Sequence, residues 1–494
     1  MLFERIKKLL GQTAIYGLSS ILGRLINFVL VPLHTGALTQ SEFGINTDLY
    51  SIIGFMIVLT TYGMETTFFR FSEKADTDKN KVYSTTMLSI FGSTILLGIL
   101  ALLLFPNIVE AMRYEEHPQF ITFVIVILAM DTLGAIPLAK LRAENKAFRF
   151  VFIRLSLIGV NVLTNLFFFM YCPWAIENHA IGSDWILSWY ATDLKVIYIF
   201  ICNILALGAM LLLLLPEFLS IKLSFDSKLW KKMMLFGIPL MIGGFAGIAN
   251  ELLDRQFLKY LLPEDIALAQ VGIYGAVYKL SIFLVLFNQA FRYAAEPFFF
   301  STQKEDNAKE TYAIVLRYFV FVMVIGLVFI WAYIDIFKHF IDEKFWEGLY
   351  ILPILLIANI MLGINLNISI WYKLIDKTQF GIIVTGIGLI FTIAINLYLI
   401  PTIGYEGAAW ATLVSYAAMT ISSYLLGQRF YKVDYPVGRI LLYIALGVAS
   451  VMLCNYFSQP NFLPQTLIFI VFVLSLGLLE KKQLLALKQR VAKK

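Results

Sequence analysis

Five cationic residues sit inside long apolar stretches of the sequence: Arg24, Arg154, Lys195, Lys279 and Arg317. A charge held deep in a bilayer costs about 2.5 kcal/mol or more, so it faces a wet cavity, pairs with an acid or snorkels to the nearer surface. Arg154, Lys195 and Arg317 lie close to the ends of their stretches, where snorkelling explains them as well as a cavity does. Arg24 and Lys279 lie deeper. Turned toward a sequestered cavity, two such cations can replace the hydration of an anionic group. The rival reading pairs each of them structurally with an acid such as Asp131 or Glu251. Asp131 is the deepest acid, with Asp48, Glu65, Glu251 and Asp254 more peripheral. A carboxylate at that depth suits a proton or sodium site that couples to an ion gradient, and suits an interhelical bond or a cation pair equally well.

Other chemistries find no pattern to rest on. The four histidines, His34, His117, His179 and His339, fall on separate loops without a nucleophile beside them. Cys172, Cys202 and Cys454 lack metal-ligand spacing and read as small buried hydrophobes. No Gly-x-x-x-x-Gly-Lys-Ser/Thr loop occurs, so ATP hydrolysis has no support. The expectation is a transporter rather than an enzyme, with no cofactor and no metal.

The elements that must carry these charges are membrane helices. Of 494 residues, 60% are hydrophobic and 15% charged, with a mean hydropathy of +0.79. One or two soluble cores could not hide that much apolar surface. The net charge of +6 comes from short basic clusters between apolar runs, not from a basic stripe, which argues against a nucleic-acid partner. With about 20 residues per span, helices are expected near Leu9–Leu33, Ile45–Phe69, Val82–Phe105, Phe120–Ala139, Phe150–Cys172, Leu194–Leu215 and Met233–Leu253. Seven more are expected near Val271–Phe291, Ala313–Ile334, Leu349–Ile370, Phe380–Ile400, Gly407–Gly427, Val437–Phe457 and Phe462–Leu479. The first of these is full span length and runs on into the protein, so no cleavable signal peptide is expected.

Cations test that map. If the N-terminus is cytoplasmic, the outer segments hold only Arg113, Arg255, Lys259, Lys338 and Lys344, and the inner segments hold several times as many. Trp174, Trp185, Trp189, Trp346 and Trp410 fall at expected outer ends, and Trp230 and Trp371 at inner ones, as in an aromatic belt. The chain also repeats. Lys7-Lys8 and Lys231-Lys232 each precede a span, and the loop from Leu38 through Phe43-Gly44-Ile45 has a counterpart in Leu261 through Val271-Gly272-Ile273. Six spans separate the copies, so the repeat is parallel. The expected organisation is a six-helix lobe over residues 1–220, a second over 228–430, two further helices over 437–480 and a basic cytoplasmic tail over 481–494.

Three passages carry a family resemblance. Pro32-Leu33 through Leu38-Thr39-Gln40-Ser41-Glu42-Phe43-Gly44 is the first, and Gly272-Ile273-Tyr274-Gly275-Ala276 through Lys279-Leu280 the second. The third is Gly404-Tyr405-Glu406-Gly407-Ala408-Ala409-Trp410-Ala411-Thr412, with Ser415-Tyr416 after it. In order and placement the chain resembles the multidrug/oligosaccharidyl-lipid/polysaccharide (MOP) exporter superfamily, in its polysaccharide and O-antigen flippase branch. The resemblance implies an all-α integral membrane fold of about fourteen helices, two lobes related by a parallel repeat as in the MATE transporters, plus two C-terminal helices. It implies movement of an undecaprenyl-diphosphate-linked oligosaccharide from the inner to the outer leaflet of the bacterial inner membrane, with both termini cytoplasmic. Arg24 and Lys279 would then bind the diphosphate, Arg154, Lys195 and Arg317 would be cavity or interfacial cations, and Asp131 would couple H+ or Na+. Partners would be the lipid-linked sugar, the bilayer, and polysaccharide polymerase and assembly proteins. A cation-coupled multidrug antiporter and a lipid II flippase are the rival readings.

Overall fold

The computed structural model describes residues 28–73, 78–457 and 462–491. Among them, every regular element is a helix. Lipid offers no hydrogen-bond partners, and a helix is the way a single apolar segment satisfies its own backbone. The principal helices are α1 (Gln40–Thr61), α2 (Met64–Ser72), α3 (Lys79–Leu103), α4 (Gln119–Ala143), α5 (Ala147–Leu166), α6 (Ile197–Leu213) and α7 (Ser227–Leu261). They continue with α8 (Glu264–Leu280), α9 (Ile282–Thr302), α10 (Ala308–Ala332), α11 (Leu352–Ile368), α12 (Gln379–Ile403), α13 (Tyr405–Phe430), α14 (Val437–Tyr456) and α15 (Phe462–Val491).

Among the described residues, eleven helices are long and apolar enough to cross a membrane, and twelve if α8 and α9, bent by 53° at their junction, count as one span. The 17-residue α6 is apolar but shorter. The first expected span, Leu9–Leu33, lies largely outside the described residues. The protein is a multi-pass membrane protein.

Local chemistry sets the helix ends. Thr39 caps α1 in a capping box with Glu42, each side chain accepting from the other's backbone N–H. Asp226 caps α7 by accepting from the N–H groups of Lys228 and Leu229 at 2.9 and 3.0 Å. Between α1 and α2 the chain turns through Tyr62 and Gly63, both with positive φ, and a Cβ at Gly63 would lie 2.6 Å from the Gly237 carbonyl oxygen.

Two expectations need correction. The span expected to end at Leu253 belongs to a 35-residue helix, α7, that continues to Leu261. At about 1.5 Å per residue it is about 52 Å long, well beyond the hydrocarbon thickness of about 30 Å. Its charged last turns remain helical because distant residues pair with them. Trp371, expected in the interfacial belt, is instead 2% exposed; its indole N–H donates to the Ser423 carbonyl and its ring packs on Gly427.

The chain packs as two compact units, Met1–Gly275 and Ala276–Lys494. In the first, α2, α3, α4 and α7 bury Phe68, Tyr83, Met87, Ile136 and Met233 together. Helices α1 and α7 run antiparallel: Asp48 meets Lys259, Gly54 faces the Leu252 side chain, and Gly63 meets Gly237. In the second unit α11, α12 and α13 form the tightest group, around Ala358, Val384, Tyr416 and Met419. Small residues there let the backbones approach closely, as membrane interfaces require.

Candidate functional site: two charge clusters in the first unit

Asp48, on the third turn of α1, is fully buried. Its carboxylate accepts from Lys259 Nζ at 2.6 Å, from the Tyr114 hydroxyl at 2.7 Å and from Gln256 Nε2 at 2.7 Å. The Lys259 ammonium also sits 3.9 Å from the Tyr114 ring centroid, a cation–π contact. Gln256 donates in addition to the Ser51 hydroxyl at 2.7 Å. Burial, and then the charge of Asp48, pushes the Tyr114 phenol well above its ordinary pKa. One turn back on α7, Arg255 donates to Asp254 at 2.7 Å and to the Glu251 carbonyl, while Tyr274 of α8 donates to the other Asp254 oxygen. Helix α7 is thus tied to α1 on one side and to α8 on the other. A cavity of about 410 Å³ adjoins this cluster, lined by Arg113, Tyr114, Glu115, His117, Lys259 and Glu264 among others.

The same end of the unit holds its closest helix crossing. A Cβ at Gly44 would lie 1.8 Å from the Leu268 carbonyl oxygen, and a Cβ at Gly272 would lie 2.0 Å from the Gln40 carbonyl oxygen. Each glycine stands against the residue four before the other. The contact is therefore reciprocal, between the two passages that the sequence pairs as copies of one repeat.

The second cluster lies toward the other end of α1, between α2, α4 and α5. Glu65 and Arg142 form an ion pair. The Arg142 guanidinium lies 5.0 Å from the Phe69 ring and 5.6 Å from the Phe150 ring, and its Nε is buried without an acceptor. Arg154, one turn beyond Phe150, holds its guanidinium 5.8 Å from the same ring. Asp131 acts on Arg154 electrostatically. Among the described residues, neither of those two side chains forms an ion pair or a hydrogen bond.

The residues singled out in the sequence scatter. Asp131 and Arg154 come within electrostatic reach of one another. Arg24 lies outside the described residues. Lys279 is exposed in the last turn of α8, just before the 53° bend. Lys195 is half-buried shortly before α6. Arg317 is 4% exposed in the second unit, paired with Glu480, whose carboxylate also accepts from Tyr443. The sequence passes over Lys259, Arg255 and Arg142, which it counts as loop cations. The spacing Glu251, Arg255, Lys259 along one helix face was the available signal.

Comparison with known proteins adds the family. The model of the polysaccharide biosynthesis protein family matches residues 9–303. The chain belongs to that family. Among solved structures, it is similar to a lipid II flippase MurJ in an inward closed conformation, at 16% identity and TM-score 0.69, covering 96% of this chain and 100% of that one. It is also similar to an inward-facing MATE multidrug resistance transporter of the MOP superfamily, at 12% identity and TM-score 0.62, covering 86% and 96%. A ligand complex of the MATE multidrug transporter DinF-BH matches at 16% identity and TM-score 0.58, covering 86% and 96%. No curated protein sequence matches. The fold is that of the MOP transporters, all-helical and MurJ- or MATE-like.

Proposed function

We propose that this polysaccharide biosynthesis family member is a lipid-linked oligosaccharide flippase. It moves an undecaprenyl-diphosphate-linked glycan from the inner to the outer leaflet of the bacterial inner membrane by alternating access between lobes 1–220 and 228–430. The observation that carries this reading is the family match over residues 9–303, on a chain with the MOP fold. The physical requirement supports it: a diphosphate cannot enter hydrocarbon bare, and cations at membrane depth replace its water. Arg24 and Lys279 supply two of those cations, Lys279 in the last turn before a 53° helix bend. Asp131 is the coupling acid, for H+ or Na+. Both termini are cytoplasmic, and polymerase and assembly proteins receive the exported unit.

The test is reconstitution in liposomes with a fluorescent undecaprenyl-diphosphate oligosaccharide, beside Arg24→Ala and Lys279→Ala. The wild type should move the lipid between leaflets, and both variants should fail while remaining folded. Gradient-driven export of a cationic dye, without movement of any polyprenyl-diphosphate lipid, would replace this reading with the antiporter. Preference for lipid II over other lipid-linked sugars would reassign the cargo.

A further inference from the structure

The geometry points to a phosphate-binding site at Arg142 and Arg154, in the first unit, that takes the phosphate groups of a lipid head group. A guanidinium presents five N–H donors in a rigid fork that matches phosphate oxygens. Donors withdrawn from water without an acceptor are costly, so a native structure rarely leaves them open without a use. Of the two arginines here, Arg142 has such a donor, its Nε, buried with no acceptor, while Arg154 is half-buried and makes no side-chain hydrogen bond or ion pair among the described residues. Both guanidinium carbons lie within reach of one ring, Phe150, at 5.6 and 5.8 Å. The two guanidinium groups are therefore neighbours of one side chain where α4 meets α5, and a diphosphate has two phosphates to offer them.

Glu65 pairs with one terminal nitrogen of Arg142, and Asp131 acts on Arg154 without an ion pair between them. Arg154 is half-buried and the Arg142 side chain is 30% exposed, so a ligand can reach both. Like charges held near each other repel, and an anion between them converts that repulsion into two charge-assisted contacts.

The proposal rests on the flippase reading only for the identity of its cargo; an anionic phospholipid offers the same chemistry. The full-length protein in nanodiscs of neutral lipid is titrated with undecaprenyl diphosphate, and separately with phosphatidylglycerol. Wild type is compared with Arg154→Gln and with the double variant Glu65→Gln/Arg142→Gln, which leaves no unpaired acid. Lost charge-assisted contacts should weaken undecaprenyl diphosphate binding about ten- to hundredfold in each. The melting temperature of Arg154→Gln without ligand should match wild type. Phosphatidylglycerol that binds as tightly, and loses affinity in the same variants, would assign the site to bulk anionic lipid. Unchanged undecaprenyl diphosphate affinity in both variants would overturn the site. Binding that depends on the arginines, in a protein that fails to translocate any such lipid, would leave the site standing and remove the flippase reading.

Discussion

The two charge clusters of the first unit have similar ingredients and opposite states of satisfaction. At one end of α1, Asp48 collects three donors, and every partner is buried or half-buried. At the other, Arg154 and Asp131 act on each other electrostatically without a hydrogen bond among the described residues, and Arg142 pairs with Glu65 and keeps its Nε buried without an acceptor. A saturated buried network fixes geometry; it has no valence left for a ligand. Guanidinium groups with donors left over remain available as a receptor for an anion. The reciprocal glycine crossing lies at the same end of the unit as the saturated cluster.

The comparison is broken most severely at Lys259. Lys259→Met leaves Asp48 buried and unpaired, a loss of about 3–5 kcal/mol. The double variant Asp48→Leu/Lys259→Met should recover most of it, as read by thermal unfolding in detergent. A single variant as stable as the double would show that the cluster is not saturated in the sense described.

Next in size is the crossing. Gly44→Ala or Gly272→Ala places a methyl against a carbonyl oxygen and should destabilise by about 1–3 kcal/mol. Gly98→Ala, where a Cβ meets nothing within 4 Å, should be neutral or stabilising by up to about 1 kcal/mol. Equal effects at all three positions would mean that the close approach contributes nothing.

Smaller still is the effect of Arg154→Gln on folding, within about 0.5 kcal/mol, against a large loss of head-group binding. A stability loss as large as that of Lys259→Met would make Arg154 a structural residue and erase the contrast between the clusters.

The smallest effect lies outside the membrane, at the cap of α7. Hydrogen bonding from Lys81, and then from the backbone N–H of Leu229, holds the Asp226 carboxyl down at about 2. Its stabilising contribution is therefore present above the ordinary carboxylate pKa of about 3.9 and is lost as pH falls through the folded value. Asp226→Asn should melt slightly below wild type at pH 7, with the gap closing as the pH approaches 3. A gap that widens in acid would contradict that sign.

Most of the helices were legible because hydropathy is a local property. Spans such as Phe380–Ile400 and Val437–Phe457 coincide with α12 and α14 to within three residues at their ends. Where the sequence misled, the cause was a partner distant in the chain. Lys259 looks like a loop cation until Asp48, in a helix near the other end of the unit's sequence, makes it a buried one. Trp371 reads as interfacial until Gly427 and Ser423 provide a slot and an acceptor for it. Arg142 closes α4 in a basic run, and nothing in that run announces that Phe150 and Arg154 fold back beside it. Asp131 and Arg154 were visible as unusual charges, because a charge inside an apolar stretch needs no partner to be noticed. Which of the visible charges are already spent was not legible, since that depends on contacts between helices.

The most direct test of the flippase account is leaflet-to-leaflet movement of a fluorescent undecaprenyl-diphosphate oligosaccharide in proteoliposomes, measured for wild type and Arg154→Gln at equal folded protein. The account predicts rapid translocation by wild type over protein-free vesicles and a severe loss in the variant. Wild-type vesicles that translocate no faster than protein-free ones would contradict the function, and an Arg154→Gln variant as fast as wild type would contradict the open cluster's part in it.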